Sequence, residues 1–89
     1  MNSNKINICF LINVDVNFHV QKNEIQKYIE KKFDKILVEE FYLDELNREV
    51  IFSLEKPIMN SNELKTNFFE KLEDLFNHFE EYKPFFTNS

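Results

Sequence analysis

Four side chains carry the chemistry a small catalytic or metal site would need: Cys9, His19, Asp74 and His78. A cysteine nucleophile requires an imidazole within hydrogen-bond reach to take its proton. Cys9 and His19 belong to one alternating stretch, and on a single strand they stand roughly 33 Å apart at about 3.3 Å per residue. Only a reversal of the chain would let them meet. Asp74 and His78 are spaced for one helical face and could offer an oxygen and an imidazole to an ion, but two ligands do not close a metal site. Adjacent carboxylates such as Glu39-Glu40, Glu73-Asp74 and Glu80-Glu81 read as solvated surface, because general acid-base pairs converge in a pocket while sequence neighbours diverge. The chain contains no Gly, which excludes a P-loop and a dinucleotide fingerprint. The expectation is a protein that is not an enzyme and holds no metal or cofactor.

Charge offers more. The net charge is −5, and it is polarised along the chain: residues 1–36 sum to +2, residues 37–55 to −5 and residues 61–89 to −3. An acidic half repels phosphate and attracts basic partners. On the helical pattern of the last third, Glu63, Glu70, Asp74 and Glu81 fall on one line, and Glu39, Glu40, Asp44 and Glu45 cluster around a predicted hairpin. The leading expectation is a small protein-binding module that sets these acids on the basic surface of another protein. One version is an inhibitor that occupies the nucleic-acid groove of an enzyme, in the manner of phage counter-defence or immunity proteins. Two alternatives stand beside it. The chain could be a homodimeric structural subunit that assembles through its sheet or through Phe85-Phe86, or a weak nucleic-acid binder that uses Lys27, Lys31, Lys32 and Lys35.

The element that must position these groups is the stretch 5–20, where every even residue is apolar, from Ile6 to Val20. Period two describes a strand with one dry face. A single long strand is expected, with a hairpin folding back near Asn13 to Asp15 as the alternative. Gln21 to Asp34 then follows helical spacing through Ile25, Tyr28, Ile29 and Phe33, with Asn23 and Gln26 at capping-box distance. Ile36 to Leu43 reads as a second strand whose alternation slips across Glu39-Glu40, which suggests a bulge or a strand partly covered on both faces. Asp44 to Arg48 reads as a loop, and Val50, Phe52 and Leu54 as a third strand that Pro57 ends.

Asn60 to Tyr82 carries the strongest helical stripe, from Leu64 through Phe68, Leu72, Leu75, Phe76 and Phe79 to Tyr82. Asn60 and Glu63 stand at its capping-box positions, and Pro84 disfavours helix at Lys83. Phe85-Phe86 is expected to fold back under this helix.

The predicted fold is a single α+β domain in the order β-α-β-β-α. Three strands, or four, form a sheet with both amphipathic helices on one face, and residues 1–4 and 87–89 fray. If the first two strands are neighbours, the first helix is a crossover between parallel strands, as in half of a ferredoxin-like unit. Cys9, Leu11, Ile36, Val38 and Ile51 are candidates for the uncovered face. With no Gly, turns that need a positive φ must draw on the twelve Asn or on Asp. A lone cysteine and a polar start unlike a signal peptide suggest the cytosol.

Overall fold

The computed structural model describes residues 5–33, 36–56, 58 and 60–88. The expectations that rest on Asp34, Lys35, Pro57 and the extreme ends 1–4 and 89 lie outside them. Six principal elements follow in the order β1 (Lys5–Asn13), α1 (Phe18–Lys32), β2 (Ile36–Tyr42), β3 (Asn47–Glu55), α2 (Asn62–His78) and β4 (Phe85–Asn88), with a short 3-10 turn at Glu80–Tyr82. The four strands form one antiparallel sheet in the spatial order β2-β3-β1-β4.

The alternation of β1 places Ile6, Ile8, Phe10 and Ile12 on the dry face at no more than 1% exposure. Its partner β3 runs opposite in uniform register, with Ile8 facing Phe52 and Phe10 facing Val50, so Val50, Phe52 and Leu54 share that face. Ile25 and Ile29 from α1, with Phe68, Leu72 and Leu75 from α2, close over it. Phe79, just past α2, meets Phe10 edge-on with ring centres 6.1 Å apart, and Phe10 meets Phe52 in the same way at 5.5 Å. Each large apolar side chain buried this way contributes about 1.5–3 kcal/mol, and a chain this short has few to spare.

The stretch 5–20 is neither one strand nor a hairpin. β1 stops at Asn13, whose Oδ1 accepts the Asp15 N–H at 2.8 Å, and the chain turns through residues 14–17 into α1. This local side-chain bond offers the backbone an alternative to the ladder. Asn17, at φ 47°, takes the left-handed conformation that redirects the chain. Phe18 is therefore the first buried residue of a helix, spaced from Ile25 and Ile29 along one stripe. Val16 and Val20 are left exposed. Asn23 and Gln26 lie inside α1 and cap nothing.

Two further corrections concern β2 and α2. β2 pairs with β3 without a bulge, from Ile36 opposite Leu54 to Tyr42 opposite Arg48. Its helix-facing side holds Ile36, Val38 and Glu40, so Ile36 and Val38 do not lie on the uncovered face. The N-cap of α2 is Ser61 rather than Asn60, its Oγ accepting the Leu64 N–H at 3.2 Å. Leu64 opens no core stripe, since it is exposed.

The expected β-α-β-β-α order gains a fourth strand at its end. Phe85–Asn88 pairs with β1 down to Asn88 opposite Ile6, so residues 87 and 88 are not frayed. Phe86 sits on the helix side, its ring 5.7 Å from Phe76, and Phe85 lies on the other face. β1 and β2 are parallel but not neighbours, because β3 runs between them. β3 and β4 are likewise parallel on either side of β1. These are two interleaved split β-α-β units, the complete ferredoxin-like arrangement; topology of this kind carries no function with it.

The other positive φ falls on Lys83, at 48°, where the chain leaves the 3-10 turn toward β4. Lys rather than Asn or Asp occupies it, at a cost of roughly 1–2 kcal/mol against a right-handed conformation. Lys83→Gly is expected to raise the unfolding free energy by about 0.5–1 kcal/mol in urea titration, after the extra freedom of the unfolded glycine is set against the relief.

Candidate functional site

One end of the molecule gathers the β1–α1 turn, the β2–β3 loop and the start of α1. The Val14 N–H donates to the Leu46 carbonyl at 2.8 Å and ties the turn to the loop. Within the loop, Asp44 Oδ1 accepts from the N–H groups of Leu46 and Asn47 at 2.8 and 2.7 Å. These donors hold the Asp44 carboxyl below its ordinary value. Asp44 is therefore the anchor of the turn as well as a surface charge.

Next to the loop lies a partly exposed charge cluster. Glu40 points to the helix side of β2 and meets Lys22 of α1, while Arg48 Nη1 of β3 donates to its other oxygen at 3.1 Å. The Arg48 guanidinium is held between two rings, its carbon 4.4 Å from the centres of both Phe18 and Tyr42. Its Nε is buried with no hydrogen-bond partner among the described residues. The hydrogen bond from Lys22, reinforced by the charges of Lys22 and Arg48, lowers the Glu40 carboxyl below the usual glutamate range. A cleft of about 440 Å³ opens beside this cluster, lined by Arg48, Tyr42, Phe18, His19 and Val20 among others.

Around the cleft and loop, five apolar side chains face solvent: Val16 at 58%, Val20 at 57%, Tyr42 at 65%, Leu43 at 49% and Leu46 at 55%. Asp15, Asp44 and Glu45 lie among them and enter no ion pair among the described residues. Exposed apolar residues grouped in this way differ from the scattered singles that are ordinary on a protein surface.

The structure divides the acids singled out in the sequence. Glu39 and Glu40 point to opposite faces of β2, while Asp44 and Glu45 share the loop. Glu63, Glu70 and Asp74 are exposed along α2, with Asp74 4.0 Å from Lys32 of α1. Glu81 does not continue that line, because α2 ends at His78 and the chain tightens into the 3-10 turn. It lies instead at the hairpin end, lining a cleft of about 280 Å³ with Leu11, Asn13, Asn47 and Tyr82. The burial of the Tyr82 phenol, with Glu81 beside it, raises its pKa above the ordinary tyrosine value.

The groups that could have done chemistry are dispersed. Cys9 is buried on the uncovered side of the sheet, between Ile51 and Phe85 on the flanking strands. Burial, with the Glu49 carboxylate nearby, pushes its thiol up to about 11, so the reactive thiolate is scarce at neutral pH. His19 stands at the start of α1 against the Phe18 ring, and His78 stacks on Tyr28 with centres 4.6 Å apart. No group of three or more His, Cys, Asp or Glu among the described residues is arranged to hold a metal ion.

Sequence reasoning missed the apolar part of this end. Tyr42 and Leu43 read as strand and Leu46 as loop; the available signal was an apolar pair bracketing the acidic residues of a predicted turn.

Because the Glu40 carboxyl is lowered in the folded state, the cluster adds stability above the ordinary value of 4.5, which is lost as pH falls through the lower folded-state value. Glu40→Gln is expected to cost about 0.5–1 kcal/mol at neutral pH, the scale of a partly exposed ion pair. In denaturant titrations the gap between parent and variant narrows as pH drops below that value, and a constant gap contradicts the assignment.

No protein-family model, curated protein or solved structure matches this chain.

Proposed function

We propose that this chain is a non-enzymatic protein-binding module that docks its hairpin end on a partner presenting a basic rim around an apolar depression. The observation that carries this reading is the grouping of Val16, Val20, Tyr42, Leu43 and Leu46, all about half exposed or more, around the unpaired acids Asp15 and Glu45. Apolar anchors supply affinity in protein interfaces, while rim charges set orientation and association rate. The hairpin end has both kinds of group, and two of its bases, Lys22 and Arg48, are occupied by Glu40, while a third, Lys83, shares the smaller cleft with Glu81. The surface that meets it is therefore expected to be positive. The nucleic-acid groove of an enzyme is one surface of that kind, and occupying it would inhibit the enzyme.

The acids of α2 are secondary in this reading. Leu64 and Phe69 are exposed on α2, but Asp74 is already beside Lys32 and Glu81 has left the line. Affinity capture from the native host with the parent chain, followed by titration of the purified pair, separates the two surfaces. Leu43→Ser with Leu46→Ser is expected to weaken binding on the order of tenfold or more, the scale of interface anchors, without unfolding the protein. Glu63→Lys with Glu70→Lys leaves binding within about threefold, as expected for charges at the rim or outside it. The opposite ranking would move the docking surface to α2.

A further inference from the structure

β2 is an outer strand of the sheet, and its seven residues, ILVEEFY, contain no Pro and no Lys to blunt the edge. A free edge presents backbone donors and acceptors that template pairing with another chain. The other outer strand, β4, is four residues long and offers less.

The side chains of β2 discriminate among occupants. Antiparallel pairing of β2 with its own copy over the whole strand sets Leu37 against Phe41 and Glu39 against the copy's identical carboxylate. Like charges directly opposite are destabilising, so this register resists self-association. Glu40 cannot relieve the repulsion, because it faces the helices and is held by Lys22 and Arg48. Glu39 lies on the uncovered face between Leu37 and Phe41, at 54% and 48% exposure, and enters no ion pair among the described residues. An incoming strand with Lys or Arg opposite Glu39 and apolar residues opposite Leu37 and Phe41 meets complementary chemistry at every open-face position.

We infer that β2 accepts an extended segment of a partner protein as a fifth, antiparallel strand, and that this segment alternates apolar, basic and apolar residues on one side. The inference rests on the protein-binding reading above and specifies the partner's chemistry. Backbone bonds supply affinity in strand addition, and alternate side chains supply specificity.

Two blocked synthetic peptides test it: Thr-Val-Thr-Lys-Thr-Val-Thr, and the same peptide with Glu at the centre. Titrated into the isotope-labelled protein at millimolar concentration, the Lys peptide is expected to shift the amide resonances of residues 36–42 and to bind roughly fivefold tighter than the Glu peptide, the scale of a cross-strand charge pair. Glu39→Lys inverts that preference, whereas Glu63→Lys, an equal charge change at the start of α2, leaves it in place. The comparison of the two peptides on the parent chain needs no variant to fold. Equal binding of both peptides, shifts confined to other elements, or a stable dimer in light scattering with the β2 edge protected would each overturn strand addition. If partner capture still depends on Leu43 and Leu46 when the peptides fail, the binding module stands and only this mode of binding falls.

Discussion

The pairing of β1 with β3 is the constraint from which the other contacts follow. Nine residues run opposite nine in a single register, and this alone sets Ile6, Ile8, Phe10 and Ile12 beside Val50, Phe52 and Leu54 on one face. A slip of one residue would turn that whole set outward and bring Cys9, Asn7 and Asn13 beneath the helices. Both helices lie on the same side because only that side is apolar enough to bury their stripes. The rings of Phe10, Phe52, Phe79 and Tyr28 then connect sheet to helix by edge-on contacts, which suits a chain with no Ala and no Gly to let its elements approach closely.

With the core spent on that face, the hairpin of β2 and β3 is stabilised differently at its far end. Glu40 occupies an inward position where an apolar residue would continue the alternation, and it is made tolerable by Lys22 and Arg48 together with the rings that sandwich the guanidinium. Tyr42 shares the face of Glu40 and packs on the Arg48 guanidinium, while Leu43 and Leu46 lie in the loop just beyond it and face solvent. The functional reading depends on this neighbourhood: the hairpin end has both acid and apolar side chains exposed to meet another protein.

The dry face of β1 through Ile12 and the stripe from Phe68 to Phe79 were legible because their periods are long and uninterrupted. The alternation beyond Asn13 misled because Phe18, Ile25 and Ile29 satisfy helical spacing while Val14, Val16, Phe18 and Val20 satisfy strand spacing. What decides between them is the Asn13 side-chain bond and the left-handed Asn17, neither of which leaves a periodic trace. β2 looked bulged because a charged residue stood at an inward position, and its partner Lys22 is remote in sequence. β4 escaped notice because four residues beginning Phe-Phe show no alternation. The exposed apolar group of the hairpin end belongs to three separate segments, and their convergence is a property of the fold.

Native-state hydrogen exchange tests the primacy of the β1–β3 pairing most directly. The account predicts that amides of Ile8, Phe10, Val50 and Phe52 exchange last and only through global unfolding, while those of β4 and of residues 43–46 exchange through local opening at far lower free energy. Slower exchange in α2 or β4 than in β1 would contradict it and place the organising contacts elsewhere.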